Sequence, residues 1–139
     1  LLEYGSDMLC EPVDLQLSKC RLMTATKRGV ELPATGRIRV ATKYVNVARQ
    51  YFASQGRQID PIKLYGAMEL APIVGLADVI VDVVDTGNTL KANGLEARDL
   101  IAYSSARLVV SRVAMKTRHQ HIAPIIERLN EWTKRAHAT

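Results

Sequence analysis

The chain is short of cysteine, of aromatic residues and of long apolar runs, and each shortage narrows what it can be. Its two cysteines, Cys10 and Cys20, have no Cys or His neighbour at zinc-binding spacing. They read as reduced thiols of a cytosolic protein rather than a disulfide or a metal site. Aromatic residues make up 5% of the chain, with no interleaving of aromatic and basic positions. The stacking platform of a single-strand binder is missing, and no nucleic-acid partner is expected. No apolar run approaches the ~20 residues that a membrane helix needs, and no secretory signal pattern opens the sequence. No membrane partner is expected, and the expected location is cytoplasmic. Internal repeats and low-complexity tracts are also missing.

What is present is an ordinary globular balance. Apolar residues are 47% and charged residues 24% of 139, enough for one modest domain or a piece of a two-lobed one. The net charge of +5 is spread along the chain. It suits an enzyme that handles polyanionic nucleotides, and it fits a plain solvated surface equally well.

The most informative stretch runs from Ala77 to Leu95. Val79, Ile80, Val81, Val83 and Val84 form a β-branched run too continuous for a half-solvated strand, so a strand buried on both faces is predicted. It leads into Asp85-Thr86-Gly87-Asn88-Thr89 and then Leu90-Lys91-Ala92, a first helical turn. A strand, a small polar glycine loop and a helix start together offer free backbone N–H groups to an anion. Gly87 lets the backbone come close to a ligand, and the Thr86 and Thr89 hydroxyls can donate to phosphate oxygens. An ordinary turn in which Thr86 or Asn88 merely caps the helix explains the same residues.

Around this stretch strand and helix signals alternate. Cys20 to Thr26 reads as a strand leaving a first lobe, and Gly29, Pro33 and Gly36 mark a loop. Ile38 to Thr42 is a short strand, and Val45, Val47, Ala48, Tyr51 and Phe52 recur at helical spacing up to Gly56. Ile59 to Tyr65 is the next strand, placed at an edge or delayed by Pro61. Glu69 to Val74 is a short helix, and Ile101 to Arg112 is a long strand. Such alternation predicts a mostly parallel sheet. The tail places Ile122, Ile125, Ile126, Leu129 and Trp132 on one helical stripe, with Pro124 in the first turn or at a kink. That stripe is expected to pack on its own lobe. His119 and His121 are two apart, do not share a helix face, and read as solvent residues.

Taken together, Arg39 to Tyr44, Lys63 to Pro72, Gly75 to Asp78, the loop at Asp85 to Leu90 and Asn93-Gly94-Leu95 resemble ATP phosphoribosyltransferase, the first enzyme of histidine biosynthesis. The likeness extends to Cys20-Arg21-Leu22 and to the segment from Arg37 to Gly56. The resemblance implies a two-lobed, periplasmic-binding-protein-like α/β fold with mostly parallel sheets. It places residues 1–26 and 105–139 in a first lobe and residues 37–104 in a second that carries the phosphate loop. Leu1-Leu2-Glu3-Tyr4 has no initiator Met, and against the family the chain is expected to lack an N-terminal segment, which leaves the first lobe incomplete. That segment carries a Lys-Gly-Arg stretch of the cleft in the family.

The implied reaction condenses ATP with 5-phosphoribosyl-1-pyrophosphate, a glycosyl transfer that needs positioning and charge neutralisation rather than a protein nucleophile. Mg²⁺ is the implied cofactor, carried on substrate phosphates with no direct protein ligand. The loop Asp85, Thr86, Gly87, Asn88, Thr89 and Leu90 is the implied holder of the donor's 5-phosphate, with Asp85 accepting a ribose hydroxyl or ordering the loop. Glu69, at a helix start, reads either as a ribose or magnesium contact or as a favourable acid at a helix N-terminus. Asp82 reads as a carboxylate in a structural hydrogen bond, with a strand-end carboxylate near the cleft as the alternative, and Lys43 and Arg49 as solvated cations that could also face pyrophosphate. Without a C-terminal regulatory domain the chain resembles the family's short form. That form implies a regulatory subunit resembling the catalytic core of histidyl-tRNA synthetase, in a hetero-octamer that histidine inhibits.

Two rivals share part of the pattern. Asp85-Thr86-Gly87 after two apolar residues matches an aspartic-protease triplet, but the βαβ flanks and Thr89-Leu90-Lys91-Ala92 after it exclude that all-β class. A non-catalytic two-lobed small-molecule-binding domain shares the alternation and remains the alternative.

Overall fold

The structure, a computed structural model, describes residues 1–138. In chain order the elements are β1 (Leu9–Asp14), β2 (Cys20–Lys27), β3 (Ile38–Thr42), α1 (Val45–Ser54), β4 (Ile59–Lys63) and α2 (Leu70–Ile73). They continue with β5 (Val79–Val84), α3 (Asn88–Ala92), β6 (Leu95–Ser104), β7 (Arg107–Ser111), α4 (Arg112–Thr117) and α5 (His119–Ala136). They fall into two units. One takes Leu1, Gly5–Lys19 and the chain from Ser104 onward, and the other takes Leu2–Tyr4 and Cys20–Tyr103.

The second unit is built on a five-stranded sheet in the order β4-β3-β5-β2-β6. β3 runs parallel to β4, with Ile38 opposite Ile59, and parallel to β5, with Val40 opposite Val79. β5 therefore lies inside the sheet, and its alternation sends side chains into two different cores. Val79 and Val81 pack with Ile38 and Val40 against Val47, Ala48 and Phe52 of α1. Ile80 and Val84 point the other way, to Met68, Ala71, Leu90 and Leu95. Two covered faces are why the sequence spends consecutive β-branched residues here, and Val79, Ile80 and Val81 are fully buried. Pro61 sits on β4, an edge strand, where proline is tolerated in a sheet.

Chain ends in this unit are tied by side chains. The buried Thr42 hydroxyl donates to the Val81 carbonyl at 2.7 Å and accepts the Tyr44 amide at 2.9 Å, turning β3 into α1. The Glu3 carboxylate accepts the Asn46 and Val47 amides at 2.9 Å each, supplying the acceptors that the first turn of α1 lacks. Gly56, at φ +72°, closes α1.

Three expectations need correction. Cys20–Lys27 does not belong with residues 1–19: it pairs antiparallel with β5, Arg21 opposite Val84 and Ala25 opposite Ile80, so the unit boundary precedes Cys20. Ile101 to Arg112 is not one strand. It breaks at Ser105-Ala106, where the Ala106 amide donates to the Leu17 carbonyl at 2.8 Å and the Ser105 hydroxyl to Asp14 at 2.7 Å. Those bonds carry the chain from β6 into β7, which pairs with β1 in a separate antiparallel sheet. The tail is two helices, not one, broken at Arg118, and Pro124 lies inside α5 rather than in its first turn.

In the first unit Arg107 on β7 reaches Glu11 at 3.3 Å and Asp14 at 3.5 Å on β1. The Ser105 hydroxyl, with the Gln16 amide, holds the Asp14 carboxyl below the usual carboxylate range. On α5, Ile122, Ile126, Leu129 and Thr133 face inward, while Ile125 and Trp132 remain about half exposed. The apolar stripe is thus narrower than its sequence suggests. Among the described residues no helix is long and apolar enough to cross a membrane.

Candidate functional site

At the carboxyl end of β5 a recess of about 240 Å³ is lined by Glu69, Asp82, Val83, Val84 and the run Asp85 to Leu90. The elements explain its lining. β5 ends at Val84, Gly87 turns the chain at φ +82°, and α3 starts at Asn88. Glu69 arrives from the other side at the head of α2, after Ala67 has taken a left-handed φ of +54°. The Glu69 side chain caps nothing, so it is left to line the recess.

The loop is rich in donors. The Lys91 amide is the first in α3 to reach a helical acceptor, the Gly87 carbonyl at 3.1 Å, which leaves the Thr89 and Leu90 amides without one. The Asn88 amide donates to the Thr86 hydroxyl at 3.3 Å, so Thr86 orders the turn as well as lining the recess. α3 has only 5 residues, too few for a strong macrodipole, so amides and hydroxyls supply what anion affinity the loop has.

All six loop residues and Glu69 are therefore gathered at one recess, and the structure adds Asp82, which the sequence reads as structural. Asp82 alternates with Ile80 and Val84 on β5 and so shares their face. Burial raises its carboxyl above the ordinary value, the Val83 amide opposes that at 2.8 Å, and the negative charge of Glu69 adds to it. Lys43 and Arg49 do not line the recess, and its only ionisable lining groups are the carboxyls of Glu69, Asp82 and Asp85. Among the described residues no three His, Cys, Asp or Glu side chains gather as a metal site. His119 and His121 lie exposed on α5.

A recess beyond the carboxyl ends of strands is where open α/β sheets gather ligands, and this fold is shared with periplasmic binding proteins. Holo ArgBP from Thermotoga maritima matches at a TM-score of 0.56 over 92% of this chain and 56% of its own, at 12% identity, a likeness of fold alone. Closer matches go further. The HisG family model, ATP phosphoribosyltransferase, matches residues 1–131. ATP phosphoribosyltransferase of Marinobacter nauticus is 65% identical over 135 residues, covering 97% of this chain and 63% of that protein. The enzyme of Ectopseudomonas mendocina is 63% identical over 129 residues, covering 93% and 61%. The ATP phosphoribosyl transferase (HisG:HisZ) complex from Thermotoga maritima matches at a TM-score of 0.85 and 37% identity, covering 91% of this chain and 63% of that one. The chain belongs to the ATP phosphoribosyltransferase family. It spans about three-fifths of the length of these relatives.

Proposed function

We propose that this protein is an ATP phosphoribosyltransferase, joining N1 of ATP to C1 of the ribose of 5-phosphoribosyl-1-pyrophosphate and releasing pyrophosphate, the first step of histidine biosynthesis. The observation that carries the reading is the recess at Asp85–Leu90, faced by Glu69 and Asp82, in a chain of that family. The free amides of Thr89 and Leu90 and the hydroxyls of Thr86 and Thr89 hold the donor's 5-phosphate. Carboxylates repel phosphate, so Asp82, Asp85 and Glu69 serve the neutral and cationic parts of the donor: they accept ribose hydroxyls and favour positive charge growing at C1.

Mg²⁺ is proposed to enter on the donor's pyrophosphate, neutralising the leaving group. The oxygen donors of Glu69 and Asp82 suit such a hard ion, and with no three-ligand cluster among the described residues the substrate phosphates supply most of its ligands. The solved relative is a complex of HisG with HisZ. By that likeness the partner here is a regulatory subunit of histidyl-tRNA-synthetase type, in a hetero-octamer that histidine inhibits, working in the cytoplasm.

The test is product formation by the full-length protein with and without that subunit, followed by mass spectrometry. The proposal expects phosphoribosyl-ATP from ATP and the ribosyl donor, raised by the subunit and lowered by histidine only in its presence. A thermal shift with amino acids or sugars and none with the ribosyl donor would favour the small-molecule-binding alternative.

A further inference from the structure

The recess is lined by three carboxyls and no cation, an odd surround for an anionic ligand. A cation that bonds to the loop comes from another strand. Arg21, half-buried on β2, donates from Nη2 to the Asp85 carbonyl at 3.2 Å. β2 pairs antiparallel with β5 so that Arg21 lies opposite Val84, the last strand residue before the loop. The guanidinium thus meets the first peptide of the loop rather than a carboxylate. Among the described residues Arg21 takes part in no ion pair, whereas Arg37, Arg39, Arg98, Arg107 and Arg135 all do. The side chains of Asp85, Thr86 and Thr89 offer no comparable long-range tether, since the Thr86 bond to Asn88 is local.

From this geometry we infer that Arg21 is a positioning residue of the phosphate loop. Its bond to the Asp85 carbonyl fixes the plane of the Asp85–Thr86 peptide, and so the direction of the amides that follow. Its unneutralised charge also offsets the three carboxyls for a ligand that carries phosphate. One guanidinium does both because only one of its five N–H groups is spent on the carbonyl. The inference rests on the reading of the recess as the donor-phosphate site.

Two measurements on the full-length protein separate the inference from that reading. Hydrogen exchange of Thr86 to Leu90 without ligand reports the tether alone, and steady-state kinetics with 5-phosphoribosyl-1-pyrophosphate reports its use. Arg21→Ala should speed exchange in the loop and raise KM for the ribosyl donor about tenfold, with kcat within about twofold and KM for ATP unchanged. Arg21→Lys, which keeps the charge and a donor, should recover most of the loss. Arg21→Gln, which keeps a donor without the charge, should recover the exchange rate but not KM. Unchanged loop exchange in Arg21→Ala would overturn the tether. Faster exchange with an unchanged KM for the donor would overturn its role in binding. A wild-type protein that binds no ribosyl donor would instead remove the reading of the recess, and the inference with it.

Discussion

Arg39 and Asp78 grip each other through both backbone and side chain. The Asp78 carboxylate accepts the Arg39 amide at 2.9 Å and its guanidinium Nη2 at 3.1 Å, while the Asp78 amide donates to the Arg39 carbonyl at 2.9 Å. The contact locks the start of β5 to β3 one residue before the buried run begins. The Arg39 guanidinium and amide hold the Asp78 carboxyl below its ordinary value. A lowered folded-state value means stability that is present above the unfolded value of about 4 and is lost as pH falls through the folded one. Asp78→Ala should cost about 1 kcal/mol at pH 7 after discounting for solvent screening. The difference between urea melts of wild type and variant should shrink as pH falls below the unfolded value of about 4 and vanish once pH is below the folded one.

Asp82 has the opposite sign. Burial raises its carboxyl, so the charged form strains the fold at neutral pH. Its contribution is fully present below the unfolded value and is lost as pH rises through the folded one. Asp82→Asn should therefore be slightly more stable than wild type at pH 7, with the gain fading as pH falls toward 4. Donor turnover should drop in the same variant. Paired stability and activity curves check both halves.

Ala67 is a non-glycine residue at φ +54°, in the turn that delivers Glu69. A side chain there costs about 1 kcal/mol relative to glycine. Ala67→Gly should raise stability by about 0.5–1 kcal/mol, read from a denaturant midpoint, and leave donor KM unchanged because the backbone path is kept.

Neighbouring residues of β5 should differ sharply. Ile80 is fully buried between Met68, Leu90 and Leu95, whereas Val83 is 43% exposed. Ile80→Ala should cost about 2–5 kcal/mol and Val83→Ala less than about 1. Equal losses in chemical denaturation would contradict the two-core arrangement.

The parts that could be read in the sequence are those set by local chemistry. Val79 to Val81 announces its burial by β-branching, although Val83 in the same run is exposed, Gly56 and Gly87 mark turns at positive φ, and Pro61 marks an edge strand. What escaped depends on contacts between distant residues. Nothing in Cys20–Lys27 says that it pairs with β5 rather than with residues 1–19, because antiparallel partners are chosen by register far along the chain. Ser105-Ala106 carries no Gly or Pro, so the break it makes is set by bonds to Asp14 and Leu17. Arg21 reaches Asp85 across 64 positions and gives no local sign of doing so.

The most direct test of the account is the affinity of the full-length protein for 5-phosphoribosyl-1-pyrophosphate, measured by calorimetry in wild type, Gly87→Val, Thr86→Ala and Thr89→Ala. A Cβ at Gly87 would meet nothing within 4 Å, so the damage from Gly87→Val comes from its φ of +82°, which a β-branched residue resists. The account predicts that each variant weakens donor binding, Gly87→Val by at least about tenfold and the most of the three, with ATP affinity unchanged. Donor affinity equal to wild type in all three variants would contradict it.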